Sequence, residues 1–411
     1  MQFVFRRGNV KKYPGMYKQY FELKDHRKAQ KLAEELRGSI SAVLLNNSVG
    51  KNPGFIVYCD ELLHELHTIS DLNQRIWVLS DKLPTVAFRQ FLSQAMIEEI
   101  HQTNEMENIH STRKEIKDEV YDIRNGKKGK RFDGMIRKYQ LLLHSESIPL
   151  NTCRDIRNLY DSFVLEEVVK EQPSDVPDGL YFRKEPVTVT RYTDVIHEGV
   201  FPENALNEAM ENALSFLNND EYDPLIRISA FHYLFGYIHP FYNGNGRMSR
   251  FISSYCLSAS RIHYLVSLRL SYVIKSHRSQ YYSMYKTTND ARNYGDLTRF
   301  VVDFLCFIRE ACEQVLVFLK EKYELINHYD EIIQKMDLDD NTKQLLFILS
   351  QVSVCESDSL SLKELSGISN MSKYLLNKRL NRLEEYIVLS HHGMSKLYRA
   401  DLQKLDNTAQ V

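Results

Sequence analysis

Apolar residues recur at three- and four-residue spacing along most of this 411-residue chain, which predicts a mainly α-helical fold. Residues 8–125 read as mostly helical. Leucine and isoleucine stripes run over 24–45 and 60–83, and Asn-Asn-Ser and Asn-Pro-Gly mark 46–54 as a loop between them. A helix from about residue 86 carries Phe88, Phe91, Leu92, Met96, Ile97 and Ile100 on one face. The strongly charged stretch 109–130 predicts a surface helix followed by a loop. Helical spacing resumes over 137–144 and 150–169, with Asn151 as a cap, until the prolines and Asp178-Gly179 of 173–179 break it.

The period then changes. Val187-Thr188-Val189-Thr190 alternate, and 193–200 can return beside 181–191, predicting the one strand pair in the body of the chain. Helices follow at 202–216, with Leu206, Met210, Ala213, Leu214 and Phe216 inward, and at 224–238, with Ile228, Phe231, Leu234, Phe235 and Ile238 on one face. Another starts near Met248, with Phe251, Ile252 and Tyr255. Helical segments at 262–275 and 276–296 precede a long amphipathic helix at 297–327 and a polar linker at 337–341. Residues 342–402 read as a unit of their own: helices at 345–352, 361–365 and 371–384, a turn at Gly367, and a two-stranded return over 387–398 through His392-Gly393. Leu375, Leu380 and Leu383 are expected to face inward there.

Composition adds mostly exclusions. Lys and Arg number 53 against 54 Asp and Glu, a formal charge of −1, so no global field points to nucleic acid or a membrane. The six cysteines are scattered without a Cys-x-x-Cys pair or zinc spacing, which predicts free thiols in a reducing cytoplasm. Residues 1–7 lack the apolar core of a signal peptide, and no apolar run approaches a membrane span.

The chemistry concentrates in the link between 224–238 and the helix near Met248: His239-Pro240-Phe241-Tyr242-Asn243-Gly244-Asn245-Gly246-Arg247-Met248-Ser249-Arg250. Gly244 and Gly246 allow a tight turn whose backbone N–H groups converge, and a helix N-terminus adds unpaired donors and partial positive charge. Arg247 and Arg250, three residues apart, supply fixed forks suited to phosphate oxygens. His239 at the mouth is a proton acceptor near neutral pH.

This stretch resembles the active-site motif of Fic (filamentation induced by cAMP) proteins, His-Pro-Phe-x-(Asp/Glu)-Gly-Asn-Gly-Arg-x-x-Arg, at eight of nine fixed positions. The resemblance implies a helical core with a β-hairpin flap and transfer of AMP from ATP, with Mg2+, to a Ser, Thr or Tyr hydroxyl of a target protein. His239 would be the base, Gly244, Asn245, Gly246, Arg247 and Arg250 the nucleotide-binding set, and 187–200 the flap on which the target docks. Asn243 stands where the family has the acidic Mg2+ ligand. An amide oxygen ligates without charge, which implies weaker metal binding, slower transfer or a changed substrate.

Upstream, Thr103-Asn104-Glu105-Met106-Glu107-Asn108 resembles the Fic inhibitory motif, (Ser/Thr)-x-x-x-Glu-(Gly/Asn). That resemblance implies that Glu107 pairs with Arg250 in place of the γ-phosphate, with Thr103 and Asn108 anchoring its segment, and that Glu107 also has a part in removing AMP. Residues 342–402 resemble a winged helix-turn-helix, with Lys373, Lys378, Arg379 and Arg382 on the third helix facing DNA or a protein partner. The expected division is 1–125, an N-terminal region with the inhibitory helix at about 86–110; 126–330, the catalytic core; and 338–405, the winged helix. A crippled, nucleotide-sensing DNA-binding regulator, a transferase of another nucleotide, and assembly with a second copy of the chain all stay open from the sequence.

Overall fold

The computed structural model describes residues 10–191, 194–355, 359–392 and 395–408. Helices dominate, but the N-terminal region holds a hairpin that the apolar pattern hid. After α1 (Gly15–Leu23) and α2 (His26–Arg37), the chain forms antiparallel β1 (Ala42–Val49) and β2 (Asn52–Val57). The helix expected over 24–45 therefore ends at Arg37, and the loop expected at 46–54 is mostly strand. In β1 the buried positions are Val43, Leu45, Asn47 and Val49. The buried Asn47 amide donates to the Ala209 carbonyl at 2.7 Å, while Leu44 faces out, so burial alternates where hydrophobicity does not.

Then come α3 (Asp60–Ser80), α4 (Thr85–Met106), α5 (Arg113–Arg124), α6 (Asp133–Leu143), α7 (Cys153–Phe163) and α8 (Leu165–Glu171). The cap of α7 is Thr152 rather than Asn151: its side chain accepts from Asp155 N–H and Asp155 accepts in return, a capping box. The expected surface helix α5 also buries Ile116, Glu119 and Val120. A 3-10 turn at Pro173–Asp175 leads to the predicted hairpin, β3 (Thr188–Arg191) and β4 (Asp194–Glu198), paired antiparallel; its tip, Tyr192 and Thr193, lies outside the described residues. The remaining helices are α9 (Glu203–Leu217), α10 (Pro224–Ile238), α11 (Asn245–Ala259), α12 (Tyr264–Ser267), α13 (Leu270–Ser276), α14 (Arg278–Asn289) and α15 (Thr298–Lys335). Helix α10 is buried nearly all round, which marks it as the central helix of its unit.

Contacts divide the chain into two compact units, 10–73 with 96–312 and 74–95 with 313–408, so boundaries fall inside α3, α4 and α15. The N-terminal residues pack within the first unit, where Asp296 accepts from Tyr13 Oη (2.8 Å) and Met16 N–H (3.0 Å) and Phe55 bridges to Asp296.

The second unit continues with α16 (Asp340–Val354), β5 (Leu360–Ser361), α17 (Leu362–Ser369), α18 (Lys373–Arg382), β6 (Ile387–His392), β7 (Ser395–Ala400) and α19 (Leu402–Thr408); its sheet order is β5-β7-β6. The chain turns at Asn370 (φ 55°) rather than Gly367, which lies inside α17. In α18 the buried face holds Leu376 and Leu380, and Leu375 is 42% exposed, a one-residue shift from the expected face. Arg379 and Arg382, expected to face a partner, both pair with Asp339. All six cysteines are free, and among the described residues no helix is long and apolar enough to cross a membrane.

Candidate active site

The link between α10 and α11 is built as its residues dictate. His239 caps α10 in the left-handed region (φ 53°, ψ 63°), a conformation uncommon outside glycine. Phe241 is fully buried and stacks on Tyr160 with ring centroids 3.8 Å apart. Gly244 (φ 81°) then turns the chain into α11, so the N–H groups of Asn245, Gly246 and Arg247 belong to its first turn, where the helix offers no acceptors. The Asn245 side chain does not reach outward with them. Its amide donates to the Phe241 carbonyl at 2.7 Å and accepts from Phe241 N–H at 3.0 Å, stitching the loop shut.

His239 Nδ1 lies 3.3 Å from the Gly236 carbonyl, which can only accept, so Nδ1 carries the proton and Nε2 the lone pair. Burial, reinforced by the charge of Arg183, pushes this imidazole down to about 4, which keeps it neutral and proton-accepting at neutral pH. The nearby His232 is a core residue. It bonds Ser253 Oγ at 2.9 Å and Tyr281 Oη at 2.9 Å, and Tyr281 and Tyr285 are buried with it.

Arg250 is held by the end of α4. Its Nε donates to Thr103 Oγ1 (2.8 Å), and its Nη2 donates to the Thr103 carbonyl (3.0 Å) and to Glu107 Oε1 (2.7 Å). The guanidinium is buried, while the Glu107 side chain is 29% exposed. Burial opposes ionisation of Glu107, but attraction to Arg250, aided by Arg247 and His239, holds its carboxyl below the usual range. The local sequence explains the aim of Glu107. Asn108 is left-handed (φ 57°), Ile109 N–H donates to the Asn104 carbonyl (3.0 Å) and Asn108 N–H to the Glu105 carbonyl (3.2 Å). That is a Schellman ending with Glu107 as the C-cap, four residues from Thr103 and on its face. Asn108 thus shapes the turn, and its Oδ1 accepts from Arg278 Nη2 only at 3.5 Å. A Cβ at Gly246 would collide with Glu107 Oε1, so this glycine makes room for the carboxylate.

Several functional neighbours escaped the sequence reading. Arg247, fully buried, is paired through Nη1 with Glu167, which is 3% exposed and in turn bridges to Arg131 at 3.3 Å. Arg247 Nε and Nη2 are buried and, among the described residues, have no hydrogen-bond partner. Arg183, also buried, donates to the carbonyls of His239 (2.9 Å), Glu185 (2.8 Å) and Val200 (2.8 Å), and Val200 N–H donates to the Ile238 carbonyl (3.1 Å). It therefore ties the base of the β3–β4 hairpin to the backbone of the histidine. Behind Arg250, the fully buried Glu99 accepts from Ser271 N–H (3.1 Å) and Oγ (2.5 Å), and burial pushes its carboxyl up to about 7.

At the departing motif position, Asn243 Oδ1 accepts from Gly244 N–H (2.7 Å) and its Nδ2 donates to Asp175 Oδ2 (3.2 Å). The amide oxygen expected to face a metal is turned into the loop instead. Among the described residues, no three His, Cys, Asp or Glu side chains converge as a self-sufficient metal site.

The Fic/DOC family profile matches residues 150–257. A Fic family protein from Desulfovibrio desulfuricans G20 superposes with a TM-score of 0.51 at 19% identity, covering 84% of this chain and 97% of its own. A Fic domain containing signaling protein from Bacteroides thetaiotaomicron matches at a TM-score of 0.42 and 14% identity, covering 62% and 97%. Fic-1 (residues 134–508) from C. elegans matches at a TM-score of 0.38 and 16% identity, covering 63% and 74%. With α7, α8, the hairpin, the His239 loop and most of α11 all inside the matched span, residues 150–257 of this chain are a Fic/DOC family domain.

Proposed function

We propose that this protein transfers AMP from ATP to a hydroxyl side chain of a target protein and is restrained by its own Glu107. The observation that carries the reading is the contact of Glu107 Oε1 with Arg250 Nη2 at 2.7 Å, inside a loop otherwise equipped for phosphates. A guanidinium occupied by a carboxylate cannot also clamp a terminal phosphate. The nest of N–H groups at the start of α11, the two unpartnered donors of Arg247 and the lone pair of His239 Nε2 supply the positioning and charge that phosphoryl-type transfer needs.

In the proposed reaction, His239 Nε2 takes the proton as the target hydroxyl attacks the α-phosphorus. The bond from that phosphorus to the bridging oxygen breaks, and pyrophosphate leaves with its charge met by Arg247 and, once Glu107 has withdrawn, Arg250. The target segment docks as an added strand on the hairpin β3–β4, whose base Arg183 and Val200 hold beside His239. Magnesium fits this donor set in one way: it binds through one or two carboxylates plus phosphate oxygens and keeps several waters, so a carboxylate close to Asn243 suffices. When bound, it neutralises phosphate charge. The DNA-binding regulator is the less supported reading, since Arg379 and Arg382 are engaged by Asp339.

The test is incubation of Glu107→Gly protein with α-labelled ATP, and with UTP and GTP because the loop residues address phosphates rather than a base. Protein labelling should rise above wild type and vanish when His239→Ala is added, base catalysis being worth about 10²–10⁴-fold. No labelling from any nucleotide would refute the transfer reading.

A further inference from the structure

Residue 243 is where the motif lacks its acid, and the structure puts one beside it. Asn243 is fixed from three sides: Tyr160 Oη donates to its carbonyl (3.2 Å), Gly244 N–H binds its amide oxygen (2.7 Å), and its amide N–H2 points at Asp175 Oδ2 (3.2 Å). A cation approaching residue 243 meets the positive end of the amide first and would be turned away. The carboxylate directly beyond it has the opposite effect. Asp175 ends the 3-10 turn Pro173–Asp175, in which its N–H donates to the Gln172 carbonyl at 2.9 Å, so its position is set by backbone and proline rather than by a long side chain. It is half-buried and, among the described residues, makes no ion pair; besides Asn243 it has only Ser174 Oγ at 3.4 Å.

We infer that Asp175 supplies the carboxylate that the motif has lost, and that Asn243 orients it: the divalent cation that accompanies a nucleoside triphosphate is held by Asp175 rather than by residue 243. The acid has moved from the loop to the turn after α8, the helix whose Glu167 holds Arg247, so one short segment positions both a cation ligand and a phosphate-binding arginine. The identity of the ligand rests on the transfer reading above, but the metal site itself is testable without transfer.

The experiment measures binding of a non-hydrolysable ATP analogue to full-length Glu107→Gly protein by calorimetry, with and without Mg2+. The ratio of the two affinities reports the metal. Asp175→Asn should shrink that ratio by at least about tenfold, the lower end of what losing even an outer-shell partner of a metal costs. Adding Asn243→Asp to Asp175→Asn should restore it, which a folding defect could not do. A crystal soaked with Mn2+ and the analogue should show an anomalous peak in contact with the Asp175 carboxylate. A ratio unchanged within about twofold, a peak remote from Asp175, or a Glu107→Gly protein that binds the analogue no better with Mg2+ would overturn the inference. Normal labelling with a metal ratio indifferent to Asp175 defeats only this inference. A metal ratio that depends on Asp175, in protein that labels nothing, defeats only the transfer reading.

Discussion

Arg247 and Arg250 lie one helical turn apart on α11, both guanidiniums are buried, and each is met by a glutamate, yet the two pairs are built differently. Glu167 comes from the middle of α8, is 3% exposed and is backed by Arg131. Glu107 comes from the final turn of α4, is 29% exposed and shares its arginine with Thr103. On the proposed reading, the same chemistry would serve as framework in one pair and as a removable occupant in the other. What separates them is the exposure and attachment of the carboxylate, because the cost of undoing an ion pair depends on whether water can replace the lost partner.

Removing each acid in turn should expose the difference. Glu167→Ala strands a buried guanidinium and should cost about 3–5 kcal/mol in denaturant unfolding, whereas Glu107→Gly should cost about 1 kcal/mol or less, as expected where solvent reaches the pair. Equal losses would dissolve the distinction. Nucleotide binding should then invert the ranking: Glu107→Gly should tighten the ATP analogue by about 5–150-fold, a typical coupling between competing sites, and Glu167→Gln should give no gain. A gain from the second variant would make Glu167 an occupant too.

Acid provides a subtler probe. The Glu107 carboxyl lies below its usual range in the folded protein, so its pairing with Arg250 is complete above the ordinary value of 4.5 and is lost only as pH falls through the lower folded value. The affinity gap between wild type and Glu107→Gly should accordingly persist from neutral pH down to about 5 in an equilibrium binding series. Glu99 has the opposite sign. Its carboxyl is raised from 4.5 to about 7, so the folded state binds more protons than the unfolded state between those values and stability declines as pH rises through that window. Glu99→Gln should flatten the decline in thermal melts; an unaltered slope would place its origin elsewhere.

The residues legible in the sequence were those whose meaning is local. The loop from His239 to Arg250 announces a turn and a helix start within twelve positions, and the bounds of α10 follow from its apolar spacing. Thr103 and Glu107 were matched through their resemblance to a short family motif, whose four-residue spacing puts them on one helical face. Glu167, Arg183, Glu99 and Asp175 could not be found in this way, because each is a single charged residue in an amphipathic or turn segment, and only tertiary packing decides whether such a residue is solvated or buried against an arginine or a loop. Strand β1 was missed for a related reason. Asn47 is buried through a hydrogen bond and Leu44 is exposed, so polarity and burial part company at those two positions. At α18 a single-residue error in the helical face exchanged Leu375 for Leu376, the resolution limit of periodicity in a ten-residue helix.

The Schellman ending of α4 would set the strength of the proposed restraint. Glu107 is aimed by two backbone hydrogen bonds and one left-handed asparagine, so it points at Arg250 only while that final turn is wound. Fraying of helix termini is among the cheapest openings a folded protein undergoes. Withdrawal of Glu107 through this route asks for no unfolded helix, only the loss of one turn. Under the proposed transfer reading, any residual activity would then be a thermometer of helix-end fraying, and a ligand that gripped residues 107–109 would lock or unlock it without touching the nucleotide.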